Sequence, residues 1–204
     1  LPGDDLDDEA ASSAEAASLR ASGFETLLDV TPVGLGRRPE AVARISAATG
    51  LTVVASTGLH RQAHYPADDP LRALDLATRT AVFLRELTVG QLADDAGLRG
   101  GRVVDELTVA RTPGGEPILA GLIKTGIDYW KISDFERVTL EAAAAAHRLT
   151  DAPIVVHLEY CTAAHELLDL LAGEGVAASR VVLAHADRDP DPELHLELIA
   201  RGAY

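Results

Sequence analysis

Residues 153–187 read PIVVHLEYCTAAHELLDLLAGEGVAASRVVLAHAD, and this stretch decides the fold. Pro153 to His157 is a short run rich in β-branched residues, the pattern of a strand buried on both faces. Thr162 to Ala172 has helical spacing and ends at Gly173 and Gly175, and Val181 to His185 is again a short apolar run. Strand, helix and strand joined this tightly imply two parallel strands and a right-handed crossover. Both strands end in a histidine.

The unit recurs toward the N-terminus. Ile118 to Thr125 reads as a strand, and Ser133-Asp134-Phe135-Glu136 is a capping box opening a helix that runs through Leu149. Leu71 to Val89 has helical spacing, and Leu51 to Ser56 is an apolar run that stops at Thr57-Gly58. Pro39 suits a first helical turn and Gly50 a C-terminal cap, which sets a helix over 39–49. Phe24 to Thr31 reads as a short buried strand ending at Pro32, and Asp191-Pro192 starts a helix that stops at Gly202. Strands near 24, 51, 118, 153 and 181, alternating with helices, make this an α/β chain with a parallel sheet. In such folds chemistry collects at the C-terminal ends of the strands, where Thr57, Lys124, His157 and His185 fall.

Composition narrows the function classes. The 204 residues carry 18 Lys plus Arg against 32 Asp plus Glu, a formal charge of −14, which argues against a surface for nucleic-acid phosphates. Hydrophobic residues are 47% and no apolar run approaches the ~20 residues that cross a bilayer, so neither a disordered nor a membrane-spanning protein is expected. The single cysteine, Cys161, cannot form an internal disulfide, which fits a cytoplasmic setting, and no signal peptide is visible. Residues 1–22 form an acidic, Ala-rich lead-in. The chain has no Met and opens on Leu1-Pro2-Gly3, a loop sequence, so a processed or excised chain is expected.

Lys124 stands at the end of an apolar strand, where a long cation is costly to bury. It admits three readings: a snorkelling or paired surface cation, a Schiff-base amine, or a lysine carbamylated by carbon dioxide to bridge metals. His157 and His185 occupy equivalent ends of successive strands, and converging neutral imidazoles suit Zn²⁺. His60 follows Thr57-Gly58-Leu59 and is placed to line a pocket, whereas His64 reads as surface. Asp187 could orient a ligand, cap a helix or pair with Arg188. His147, His165 and His195 lie on helices and read as surface residues. Cys161 has no histidine and acid arranged to make it a nucleophile.

Taken in order, Asp29-Val30-Thr31-Pro32 with Gly36-Arg37, Thr49-Gly50-Leu51, Ser56-Thr57-Gly58, Ala120-Gly121-Leu122-Ile123-Lys124, Ala142 to His147, Val156-His157 and Ser179 to Asp187 form a pattern. From about residue 24 to the C-terminus it resembles the phosphotriesterase-like family of the amidohydrolase superfamily. The resemblance implies a (β/α)8 TIM barrel with two divalent metal ions, usually Zn²⁺, at the C-terminal ends of its strands. It places a bridging carbamylated lysine on Lys124, two metal-binding histidines on His157 and His185, and the pocket residue that meets substrate on His60; Asp187, read as able to orient a ligand, is the second substrate-binding candidate. It implies hydrolysis of a lactone or an organophosphate triester by a metal-bound hydroxide.

Set against about 250 residues for such a barrel, residues 23–204 supply strands two to six of one partial barrel domain. The first strand, with its His-x-His pair, and the last two, with the aspartate that ligates metal and accepts a proton, are not in the sequence. Two other readings stay open: a non-catalytic barrel fragment that binds a metal or ligand, and a Schiff-base aldolase using Lys124. Two open parallel edges imply self-association, hence a homo-oligomer.

Overall fold

The structure, a computed structural model, describes residues 8–204; the Leu1-Pro2-Gly3 opening and the acidic Asp4, Asp5 and Asp7 lie outside the described residues. The strands are β1 (Thr26–Asp29), β2 (Thr52–Gly58), β3 (Ala120–Gly126), β4 (Ile154–His157) and β5 (Val181–Ala184). They form one parallel sheet in the order β1-β2-β3-β4-β5, so every strand lies beside its successor. That order, with a helix in each crossover, is the arc of a (β/α) barrel rather than a doubly wound sheet, whose strand order reverses. Tyr204 lies against β5: its N–H donates to Val181 O at 3.1 Å and its carbonyl accepts from Leu183 N–H at 2.6 Å.

The helices are α1 (Glu9–Ala21), α2 (Pro39–Thr49), α3 (Leu76–Thr88), α4 (Ala96–Arg99), α5 (Asp134–Thr150), α6 (Ala164–Gly173) and α7 (Pro192–Ala200). Asp8 caps α1, and Glu9 accepts two hydrogen bonds from Arg44, tying α1 to α2. The α5 capping box forms as read: Ser133 Oγ accepts from Glu136 N–H and Glu136 Oε2 accepts from Ser133 N–H. Along α5, Ala142, Ala143, Ala144 and Ala146 are fully buried. Side chains this small let the helix backbone lie close to its neighbours, and they share one core with Ile123, Ile154, Val156, Leu167 and Leu171.

Several expectations need correction. The first strand is not buried: Phe24, Leu27, Leu28 and Val30 are exposed, since among the described residues β1 is an edge strand that pairs with β2 alone. The 71–89 helix is two pieces, a 3₁₀ turn Pro70–Ala73 and α3, since Asp75 accepts from Thr78 N–H and restarts the helix. Helix α6 starts at Ala164 because Tyr160, Cys161 and Ala163 adopt positive φ. His147 is buried, with Nδ1 at 2.9 Å from Ala152 O, so it closes the turn into β4. His195 is half-buried, with Nε2 at 3.0 Å from Ala186 O. Among the described residues no helix is long and apolar enough to cross a membrane.

Candidate functional site

Parallel register brings the strand ends together. Gly58 pairs with Lys124, Gly126 with His157, and His157 with Ala184, the residue before His185. The rings of His157 and His185 are 4.8 Å apart and nearly perpendicular. His60 lies 4.8 Å from His157 on the other side and 4.0 Å from the exposed His64. Gly126 eases this approach: a Cβ there would sit 3.1 Å from His60 Nδ1 and 3.2 Å from His157 Cβ, so His60 or His157 would have to give by a few tenths of an ångström.

Lys124 is 3% exposed, and among the described residues the one hydrogen bond of its side chain runs from Nζ to Thr125 O at 2.5 Å. Among the described residues no carboxylate pairs with it. Burial therefore drives its pKa down from 10.5 to about 7. Ser56 Oγ, Thr57 Oγ1 and Thr125 Oγ1, on the same strands, are buried without a hydrogen-bond partner among the described residues. Buried polar atoms left unpaired are costly, and they cluster where ligands or water complete the site.

Burial disfavours the charged form of His60, His64 and His157. Burial, then the Lys124 charge, lowers the His60 pKa to about 2; burial is also the main cause of the lowered values at His64 and His157. His60 Nδ1 accepts from Arg61 N–H at 2.8 Å, which leaves the ring proton on Nε2. His185 adopts φ 68°, a left-handed turn directly after β5. Asp187 lies in the next 3₁₀ turn, exposed, with neither the Arg188 ion pair nor a capping bond among the described residues. Thus Lys124, His157, His185 and His60 are gathered at one edge, and Asp187 stands outside the group.

Sequence reading missed two members. Arg61 NH1 donates to Glu159 Oε1 at 2.6 Å and reaches Asp128 Oδ1 at 3.4 Å, and the same Glu159 oxygen is 2.9 Å from His157 Nε2. The available signal was the His157-Leu158-Glu159 spacing, since residues two apart on an extended chain share a side.

Among the described residues no group of three or more His, Cys, Asp and Glu side chains is placed to hold a metal. The groups able to ligate one are His157, His185 and Lys124, the last only after its amine loses charge. Their chemistry fits a divalent ion: two imidazoles, one backed by a carboxylate, and a buried amine near neutrality.

The model of the phosphotriesterase family matches residues 3–114 and 102–204. The chain belongs to the phosphotriesterase family. It is thereby a member of the amidohydrolase superfamily. It is similar to a phosphotriesterase homology protein of Mycobacterium tuberculosis, 31% identical over 210 residues, a match covering 99% of this chain and 57% of the relative. Among solved structures it superposes with TM-score 0.80 and 26% identity on the phosphotriesterase homology protein of Escherichia coli with phosphate in its active site, covering 98% of this chain and 61% of that one. A lactonase from Listeria monocytogenes superposes with TM-score 0.78 and 27% identity, over 98% and 59% of the two chains. This phosphotriesterase-family chain therefore spans less than two thirds of the relatives it matches, and its five strands are an arc of their barrel fold.

Proposed function

We propose that this chain is the metal-binding arc of a phosphotriesterase-family ester hydrolase, with Lys124, His157 and His185 as metal ligands and His60 and Asp187 facing substrate. The observation that carries the reading is Lys124, a buried amine near neutrality, with no carboxylate partner among the described residues, on the strand before the two that end in His157 and His185. A neutral amine adds carbon dioxide and a protonated one does not. The resulting carbamate is an oxygen donor, and with two imidazoles it makes the mixed N/O set that Zn²⁺ takes. When bound, divalent ions supply Lewis-acid polarisation of an ester oxygen and a lowered pKa for water.

The chain's own residues do the rest. His60, with its proton on Nε2, donates a hydrogen bond to the substrate oxygen, and Gly126 leaves room for that ring beside His157. Asp187, exposed, orients the polar end of the substrate. Three donors suffice for one ion, so two zinc ions and turnover belong to the whole protein. A lactone or organophosphate triester is the substrate class, supported for the lactone by the similarity to the Listeria lactonase. Residues 1–204 form one partial barrel domain, with 1–22 as lead-in, in a cytoplasmic homo-oligomer that suits the buried thiol of Cys161.

A second reading, a non-catalytic arc that binds a metal or ligand, is favoured by the lack of a three-member His, Cys, Asp or Glu group among the described residues. One experiment separates the readings. The purified chain is loaded with Zn²⁺ in bicarbonate buffer, its metal content is measured, and hydrolysis of a δ-lactone and an aryl phosphotriester is followed. Retention of Zn²⁺ that is lost in His157→Ala and His185→Ala supports the ligand assignment, and retention unchanged in both overturns it. Turnover by the chain alone overturns the non-catalytic arc. Borohydride trapping of a carbonyl compound on Lys124 would instead select the Schiff-base amine.

A further inference from the structure

His157 is gripped from one side only. Its Nε2 lies 2.9 Å from Glu159 Oε1, and among the described residues its Nδ1 has no hydrogen-bond partner. Glu159 is itself fixed, because the same oxygen accepts from Arg61 NH1 at 2.6 Å. Arg61 is anchored in turn, by Asp128 Oδ1 at 3.4 Å and by His64 Nδ1 at 3.3 Å from its Nε. Its own backbone N–H donates to His60 Nδ1. The chain of contacts runs from the loop after β2, through the loop after β3, to the end of β4. All three side chains are largely covered, with 12% of His157, 18% of Glu159 and 22% of Arg61 exposed.

An ionised carboxylate only accepts hydrogen bonds, so the ring nitrogen facing Glu159 must carry the proton. A neutral imidazole has one proton to give, and placing it on Nε2 leaves the lone pair on Nδ1. We propose that Glu159, clamped by Arg61, is a positioning residue that fixes His157 as its Nε2–H tautomer and presents Nδ1 to the cleft. Arg61 matters as much as the carboxylate: without it, Glu159 is free to swing toward water and the ring is free to flip. This inference rests on the metal-ligand reading for its consequence, though not for its geometry. Metal-binding imidazoles almost always donate their second N–H to a carboxylate, a backbone carbonyl or water, and removing such a partner typically lowers metal affinity or activity by about 10- to 100-fold.

The test is long-range proton–nitrogen NMR on the ¹⁵N-histidine-labelled chain, kept metal-free with chelator. Wild-type His157 is expected as the Nε2–H tautomer, with Glu159→Ala moving it toward a mixture and Glu159→Gln, which keeps an acceptor oxygen, restoring it. Arg61→Met should broaden or shift the His157 ring resonances with Glu159 intact. A His157 spectrum carrying its proton on Nδ1, or one unchanged by Glu159→Ala, overturns the proposal. If Glu159→Ala does not fold, the wild-type tautomer and the Arg61→Met spectrum decide. Zinc titration of the same samples is the second readout: tautomer control without zinc binding leaves the positioning role standing and removes the metal reading.

Discussion

Arg37 donates to both oxygens of Glu86, at 2.8 and 2.5 Å, and the two side chains are 3% and 0% exposed. The same guanidinium reaches Asp95 at 2.8 Å, while Glu86 also accepts from Leu92 N–H and Asp95 from Gly34 N–H. One cation thus fastens the loop after β1, helix α3 and the segment before α4. Removing one partner leaves a buried charge and a buried N–H short of an acceptor, a loss of about 3–5 kcal/mol. Glu86→Ala should lower stability by about 3 kcal/mol, the low end, because Asp95 remains. Urea unfolding measures it, and a loss under about 1 kcal/mol would mean that Asp95 alone satisfies Arg37.

Lys124 should take up carbon dioxide. In ¹³C-bicarbonate the chain is expected to show a carbamate resonance that is absent from Lys124→Met, since burial holds the amine near neutrality. Lys131, 66% exposed and beside Asp128, is the internal control and should stay unlabelled. Labelling of Lys131 in place of Lys124 would contradict the assignment.

The α5 cap gives a prediction on stability alone. Ser133→Ala removes the acceptor for Glu136 N–H and should cost about 1 kcal/mol. Glu136 needs separate treatment, because its Oε1 also accepts from Gln62 N–H and holds the loop after β2. Glu136→Ala should therefore cost more than Ser133→Ala in the same denaturation assay. Equal losses would mean the Gln62 bond contributes nothing.

The capping box, the Pro39 and Gly50 limits of α2 and the strands ending in His157 and His185 were legible in the sequence because each is a local pattern. The convergence of Lys124, His157 and His185 was legible because parallel topology aligns equivalent strand ends. What escaped is non-local. Arg37, Glu86 and Asp95 meet across separations of 49 and 58 residues, and nothing in their neighbourhoods announces a buried ion network. His147 looked like a surface residue because helical spacing cannot tell that its Nδ1 meets a carbonyl beyond the helix end. The exposure of β1 was hidden for the opposite reason: an apolar strand reads as buried whether or not a neighbour is there to cover it.

That uncovered strand should drive self-association. Leu27 and Leu28 are 42% and 51% exposed, beside exposed Phe24 and Val30, on an edge that has no partner strand on its outer side among the described residues. Exposed apolar edges of this kind template pairing with other chains. Size-exclusion chromatography of the isolated chain should give an apparent mass above 21.5 kDa that falls in the Leu27→Lys/Leu28→Lys double variant. A compact monomer at every concentration would show that this edge is inert.

Gly58 tests how tightly the site is built into the strands. Its φ is 111°, a conformation L side chains rarely adopt, and an added Cβ would lie 2.0 Å from the carbonyl oxygen of Lys124. Neither fault can relax cheaply, because Gly58 O accepts from Val33 N–H and Gly58 is in register with Lys124. Gly58→Ala must push β2 and β3 apart where Lys124 is held. Strain of this kind costs about 1–3 kcal/mol before the clash is counted, so a loss of at least about 2 kcal/mol is expected. The loosened strand end should also admit water to Nζ, so the ¹³C carbamate resonance should weaken together with stability. Gly36→Ala is the control: φ is positive there too, at 78°, but no atom lies within 4 Å of the added Cβ. It should cost stability without touching the Lys124 signal, and equal weakening in both variants would mean that close packing against Lys124 is not what Gly58 provides.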